Sequence, residues 1–401
     1  MGQLSAVVVG GGTGGLAAAR GLIRAGWGVQ VLEQAPEFRP LGAGITLAPN
    51  AVRALDALGL GGALRNRAMA QGAAGVRVSS GRWIMRTRLD ALEAMFGVPA
   101  FVLHRADLHQ LLTDSVQEAD LRTGHRVLDI AQRPDGRATV TYEQPDREST
   151  TTADVTANLV VAADGLHSAV RTMLFPDHPG PAYAGYIAWR GIVPAERAAA
   201  LGQQSVTETW GRGRRFGIVP LADGRMYWFA TASSPAGAHT DDELADLETR
   251  YRDWHRPIPE LLAATPPDAV LRHDIYYLRQ PLPSYVTGRV ALLGDAAHAI
   301  TPDLGQGACL ALEDAATLAG FAREPDIDAA LRRYDHARRP RTQRLVRNSA
   351  RIGRMAAWSH PAAAALRNAL VSLVPARRYL RSSAGTYAWT PPDPDAVPPR
   401  D

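Results

Sequence analysis

The sequence predicts an α/β protein in which a parallel sheet flanked by helices is interrupted by an inserted mixed β-sheet and followed by C-terminal helices. Three observations predict it. The chain opens as strand, glycine turn, helix and strand, ending at Glu33. Short apolar runs of the buried-strand kind recur at 159–163 and 290–293. Between Tyr183 and Thr231 the texture changes to successive strands rich in Trp, Tyr, Phe, Val and Ile. An aromatic sheet bracketed by such strands reads as an insertion into a parallel fold.

Residues 4–9 are apolar and β-rich, as a strand buried on both faces should be. Gly10, Gly12 and Gly15 then form G-x-G-x-x-G, and Leu16, Ala19, Leu22 and Ile23 recur at helical spacing up to Gly26. Gly10 permits the tight turn, Gly12 lets a pyrophosphate approach the backbone, and Gly15 lets helix pack on strand. Phosphates then sit at the partly positive helix N-terminus, while Glu33 accepts from a ribose. Taken alone, the unit specifies an adenine dinucleotide without saying whether it is NAD(P) or FAD.

Residues 39–47 form a loop whose Gly42 and Gly44 allow close backbone approach to something flat. A short amphipathic helix follows at 49–60, starting on Pro49 and ending at Gly59. Residues 75–88 and 100–103 alternate as strands, and 105–112 open another helix. Arg105 gains nothing from the dipole in that first turn, so its guanidinium is aimed either at an outside anion or carbonyl or at a surface ion pair. Residues 125–143 read as a hairpin turning at Pro134-Asp135-Gly136. Further helices are predicted at 241–254, 307–321, 327–355 and 361–380, a strand at 270–278, and a disordered proline-rich tail from Thr390. Gly211-Arg-Gly-Arg imitates a phosphate loop but lacks the flanking strand and helix.

These segments divide the chain. Dinucleotide-fold parts fall at 1–75, 105–180 and 281–345, substrate-domain strands at 76–104 and a substrate sheet at 181–280, with helices at 346–385 and a tail at 386–401.

Composition narrows the function. A chain of 401 residues, 46% hydrophobic, supports two or three folding units. The net charge of +4 is spread over scattered arginines, so no nucleic-acid arm is formed. All 44 basic residues are Arg, which excludes Schiff-base chemistry, a Walker lysine and a lysine general base. Cys309 stands alone, excluding an internal disulfide or a thiolate cluster and fitting a reducing compartment. With a strand beginning by Leu4 and no long apolar run, a cytoplasmic protein is expected. The histidines show no metal-ligand spacing, so no metal is expected.

Two further signatures carry chemistry. Asp164-Gly165 ends a buried strand, placing a carboxylate and a bare backbone at the ligand edge of the sheet. In GDAAHAITPDLGQGACLALEDA, residues 294–315, Asp295 ends a strand, Pro302 shapes a loop, and Gly305-Gln306-Gly307 enters a helix. Free N–H groups and the positive dipole end converge there, suited to negative charge on a reduced ring. His298 reads as a supporting residue.

GGGTGG with Glu33, LHRADL with Arg105, ADGLHSAVR, the 294–315 segment and the late RYDHARRPRTQRL resemble the single-component, group A FAD-dependent aromatic monooxygenases. These are the enzymes of the para-hydroxybenzoate and salicylate hydroxylase kind, and the resemblance runs from about residue 4 to about residue 345. It implies a GR2-type FAD-binding fold with an inserted substrate sheet. It further implies that Gly10, Gly12, Thr13 and Gly15 hold the FAD pyrophosphate, and that Glu33, followed by Gln34, holds the adenosine ribose. Arg105 would meet the phosphate or ribityl region, and Val127 the adenine through its backbone. Asp164 and Gly165 would serve FAD and a transient NADH or NADPH, and Asp295 the ribityl or pyrophosphate part. Gly305, Gln306 and Gly307 would face the isoalloxazine, with Gly44 and Pro302 also at the cofactor.

In such enzymes NAD(P)H reduces FAD, and O₂ adds to give a flavin C4a-hydroperoxide that hydroxylates or epoxidises the substrate. The aromatic strands favour a flat aromatic or lipophilic substrate, with Trp189, Trp210, Phe216 and Trp228 as its wall. Tyr186, Arg190, Arg214 and Tyr227 are the candidate acid, base and steering groups. A flavin-dependent epoxidase or reductase of an isoprenoid-type substrate and a non-catalytic flavin-binding protein stay open, as does a monomer or a homodimer. A flavin halogenase is excluded by the missing lysine.

Overall fold

A computed structural model describes residues 3–38, 43–70, 73–88, 90–145, 150–203 and 205–392. Ser5–Val9 is buried along nearly its whole length and lies inside a six-stranded sheet. It pairs in parallel with Gly28–Glu33 on one side and Leu159–Ala162 on the other. Val290–Leu292 extends the sheet beyond Leu159–Ala162, and Asp120–Thr123 extends it beyond Gly28–Glu33. Both recurrent apolar runs therefore join the opening strand, and their continuous hydrophobicity reflects burial on both faces, since the helix Thr13–Arg24 and the three-stranded sheet of Arg126–Gln132, Ala138–Pro145 and Thr150–Ala157 both pack on these strands.

The helices Thr13–Arg24 and Gly307–Phe321 pack along each other through a seam of small residues. A Cβ on Gly14 would lie 2.7 Å from Leu293 Cδ1, and one on Gly21 would lie 2.5 Å from Ala319 Cβ. That approach brings the N-termini of both helices to one cavity at the same end of the sheet.

The inserted sheet has seven strands in the order Leu271–Tyr277, Ala182–Val193, Met226–Ser233, Arg214–Pro220, Val206–Trp210, Ala73–Val78 and Trp83–Arg88. One face packs on the helices Glu243–Tyr251 and Ile258–Ala263, with Trp189, Phe216, Trp228 and Tyr251 filling the core between them. The other face lines the cavity. Gly211-Arg-Gly-Arg is a tight turn between two of these strands, with Gly213 at φ +68°.

Three expectations are corrected. Phe101–His104, grouped from sequence with the substrate strands, pairs instead with Gly44–Leu47 and Met69–Ala70 in a separate small sheet. The 125–143 hairpin forms, but a third strand, Thr150–Ala157, joins it; its threonines and Asp154 gave no apolar alternation to read. The 361–380 helix is two, Pro361–Ser372 and Ala376–Ser382, because Pro375 withholds an N–H at the break. The long helix Ile327–Ala356 runs as read and carries Pro340 within it. Gly42 and most of the proline-rich tail lie outside the described residues.

Candidate active site

The first strand ends at Gly10, in the left-handed region at φ +102°, whose N–H donates to Leu32 O at 2.8 Å. A Cβ on Gly15 would sit 1.9 Å from Gly10 O, so only glycine lets the helix begin beneath the turn. Gly12 differs: nothing lies within 4 Å of its Cβ position, leaving its face open to a ligand. Gly12 caps the helix Thr13–Arg24 without a side-chain bond, so first-turn N–H groups remain for an anion. Glu33 accepts from Gly11 N–H and Ala35 N–H, both at 2.7 Å, which fixes the carboxylate and leaves further lone pairs for hydroxyls.

Arg105 opens the helix Arg105–Asp114 with its side chain exposed and no carboxylate partner among the described residues. His109, one turn on, places Nε2 3.0 Å from Gly11 O and its ring 5.4 Å from that of Phe38. These residues wall a cavity of about 200 Å³, which meets a larger one of about 560 Å³. Gly12, Thr13 and Arg105 line both, so the two form one elongated groove.

The 294–315 segment floors the larger end. Asp295 begins a short helix and is exposed to the groove, although the surrounding protein holds its carboxyl above the ordinary range. Pro302, Gly305, Gln306 and Gly307 also line it, with Gly305 at φ +62°. Gln306 caps the helix Gly307–Phe321 without a side-chain bond, again leaving backbone donors free.

A buried polar network holds this floor. Asp314 accepts from Gly294 N–H at 2.9 Å and lies 2.6 Å from His298 Nε2 and from Arg338 Nε. Glu313 pairs with Arg338 and Arg341 at 2.6 and 2.7 Å and accepts from Asn50 at 2.6 Å. Asn50 also donates to Gln306 Oε1 at 2.9 Å. His298 is thus a supporting residue. Arg338 holds both Glu313 and Asp314, and Arg341 holds Glu313.

Residues 3–349 match the FAD binding domain family. The aurachin C monooxygenase/isomerase of Stigmatella aurantiaca is 35% identical over 390 residues, 97% of this chain and 99% of that protein. The FAD-dependent urate hydroxylase of a Klebsiella pneumoniae strain is 36% identical over 353 residues, 86% of this chain and 88% of that protein. The chain belongs to the group A FAD-dependent monooxygenases. The crystal structure of Klebsiella pneumoniae HpxO complexed with FAD and uric acid has a TM-score of 0.87 at 31% identity, covering 96% of this chain and 97% of that one. The groove fits the cofactor of this monooxygenase family. The open Gly12, the unpaired Arg105 and the uncapped helix at Gly307 supply donors along its length, and Glu33 and Asp295 supply acceptors.

Not every expected residue reaches the groove. The Val127 side chain is buried in the core beside the main sheet, which does not bear on its expected backbone contact, and the exposed Gln34 lines neither cavity. Gly165 lines the groove at φ +79°, whereas the Asp164 carboxylate turns inward to Ser168 Oγ at 2.6 Å and Val170 N–H at 3.1 Å. Asp164 therefore shapes the loop. Gly44 lines the groove, but the flat group its missing side chain admits is the Tyr227 ring, 2.5 Å from a built Cβ.

The aromatic wall is corrected, and for Trp189, Phe216 and Trp228 strand parity is the reason. Successive side chains alternate between faces. Trp189, Phe216 and Trp228 point to the helices: Trp189 Nε1 donates to Glu243 at 2.6 Å, Trp228 Nε1 to Thr265 at 2.9 Å, and Phe216 stacks on Trp228 at 5.5 Å. Trp210 shares its parity with the groove-lining Glu208, to which its Nε1 donates at 2.9 Å, but lies beside the groove, packed with Val76, Ile84 and Ala356. The groove receives their neighbours, among them Ala188, Arg190, Arg215, Tyr227, Phe229 and Thr231. Arg214 is corrected on the same ground, since its Nη1 donates to Arg250 O at 2.5 Å while Arg215 faces the groove.

Arg190 and Tyr227 line the groove; Arg190 Nη1 lies 3.2 Å from His273 Nδ1, and burial raises the Tyr227 hydroxyl above its usual range. Tyr186 does not face the groove. Its hydroxyl donates to Asp303 Oδ2 at 2.9 Å, from the side of a separate cavity. Sequence reasoning missed Arg215, Asp303, Glu208, His273 and His109. Asp303 lies inside the quoted 294–315 segment, so its neighbourhood was the available signal; Arg215 was hidden by its neighbour.

Proposed function

We propose that this monooxygenase uses NADH or NADPH and O₂ to hydroxylate a flat aromatic small molecule carrying polar edge groups. The observation that carries the reading is the Arg215–Asp303 ion pair standing in one groove with the glycine-opened helix N-terminus. FAD, when bound, supplies hydride acceptance and oxygen activation. Arg190 and Arg215 orient an anionic or carbonyl edge of the substrate. Tyr227 donates a hydrogen bond, and its raised pKa keeps that proton in place at neutral pH. Asp303, its side chain enclosed between Arg215 and Tyr186, fixes the Arg215 guanidinium toward the groove. Val219, Leu271 and Phe229 seat the ring and keep water away. Backbone donors at Gly307 and Ala308 favour negative charge on the reduced cofactor.

The test is a ligand screen on FAD-loaded protein. A true substrate accelerates NAD(P)H oxidation and yields a product one oxygen atom heavier; oxidation that ends wholly in hydrogen peroxide for every aromatic ligand refutes the reading.

A further inference from the structure

Asp303 is a wall between two cavities. Arg215 lines only the FAD groove, Tyr186 lines only the second cavity, and Asp303 lines both. The second cavity measures about 490 Å³. Arg347, Arg351 and Arg354 of the helix Ile327–Ala356 line it, spaced so that they share one face over about 10 Å. Arg279 joins them, its guanidinium 5.9 Å from the centre of the Tyr277 ring, which also lines the cavity.

These four lack carboxylate partners, although Arg279 Nε donates to the Tyr277 hydroxyl at 3.2 Å and Arg354 Nε to Ala350 O at 3.3 Å. Earlier on the same helix, Arg333 pairs with Glu324, Arg338 with Glu313 and Asp314, Arg339 with Asp335, and Arg341 with Glu313. Among the described residues no carboxylate pairs with Arg279, Arg347, Arg351 or Arg354. The acidic group on their wall, Asp303, is already engaged by Arg215 and Tyr186. Four cations gathered round a cavity repel one another unless an anion enters.

We propose that this cavity binds the phosphates of the nicotinamide dinucleotide, with Tyr277 offering a face to a base. The inference rests on NADH or NADPH being the reductant. A ligand bearing several negative charges over such a span matches a row of three guanidiniums better than one carboxylate does. The sequence holds one strand-flanked G-x-G-x-x-G, which the FAD groove uses, so the reductant needs a site of another kind. Sharing Asp303, the cavity abuts the end of the groove lined by Gly305 and Gly307.

The experiment compares FAD-loaded wild type with R347Q/R351Q/R354Q and with the single variant R351Q, by rapid-mixing measurement of flavin reduction against NADH and NADPH concentration. The triple variant is expected to raise the half-saturating concentration of the preferred nucleotide roughly tenfold or more, with R351Q moving it the same way. Inorganic pyrophosphate should compete with the nucleotide in wild type and lose that effect in the triple variant. Unchanged half-saturation, or weakening confined to an anionic substrate, would overturn the inference. If neither nucleotide reduces wild-type flavin, the reductant reading itself falls; if one does and the triple variant matches wild type, only the cavity assignment falls.

Discussion

Arg215, on a strand of the inserted sheet, is ion-paired with Asp303, in the turn that leads into the glycine-opened helix. Both side chains are buried, and the contact ties the substrate sheet to the cofactor floor. Removing one partner strands the other charge away from water. Arg215→Ala is expected to cost about 3 kcal/mol of stability, read as a shift in the urea midpoint. Asp303→Asn keeps the shape but takes the charge partner from the groove-facing Arg215, so substrate affinity should fall by about tenfold or more while FAD content is unchanged.

The two inner glycines of the first turn should separate. Gly15→Ala puts a methyl group against Gly10 O and is expected to abolish soluble, folded protein. Gly12→Ala meets no protein atom, so the apoprotein should keep its melting temperature while losing FAD affinity. Thermal melts of apoprotein beside flavin titration check both; equal losses for the two variants would contradict the assignment.

Strand parity predicts a second separation. Phe216→Ala, in the core behind the sheet, should cost about 3 kcal/mol and leave substrate affinity near wild type. Phe229→Leu, on the groove face, should do the reverse. Urea unfolding and substrate binding, measured on the same preparations, decide it.

Asp314 makes acid stability specific. Burial alone would raise its carboxyl, but His298 and Arg338 outweigh burial and hold it at about 2, against an ordinary value of 3.8. A carboxyl lowered by folding stabilises fully above its unfolded pKa, and the gain is lost as pH falls through the folded value. About 2 kcal/mol should therefore disappear between roughly pH 5 and pH 2. Asp314→Asn, less stable at neutral pH, should lack that part of the acid slope in denaturant titrations.

The cofactor half of the site was legible because its determinants are local: Gly10, Gly12 and Gly15 are set by one turn, and Gly305–Gly307 by one helix entry. The substrate half was not. Arg215 meets Asp303 across 88 positions of sequence, and His109 reaches Gly11 across 98, separations that spacing rules cannot read. Trp189, Phe216 and Trp228 misled because an aromatic on a sheet looks the same in sequence whichever face it takes. Strand existence was plain, but parity depended on where the helices Glu243–Tyr251 and Ile258–Ala263 docked. Asp164 marked the right loop for the wrong reason, since its carboxylate serves that loop's own turn.

The most direct test supplies FAD-loaded protein with NAD(P)H, an aromatic ligand that accelerates its oxidation, and isotopically labelled O₂. A product carrying one labelled oxygen atom, in proportion to the nucleotide consumed, is the predicted result. A purified, reconstituted protein that retains no FAD, or a product whose new oxygen comes from water, would contradict it.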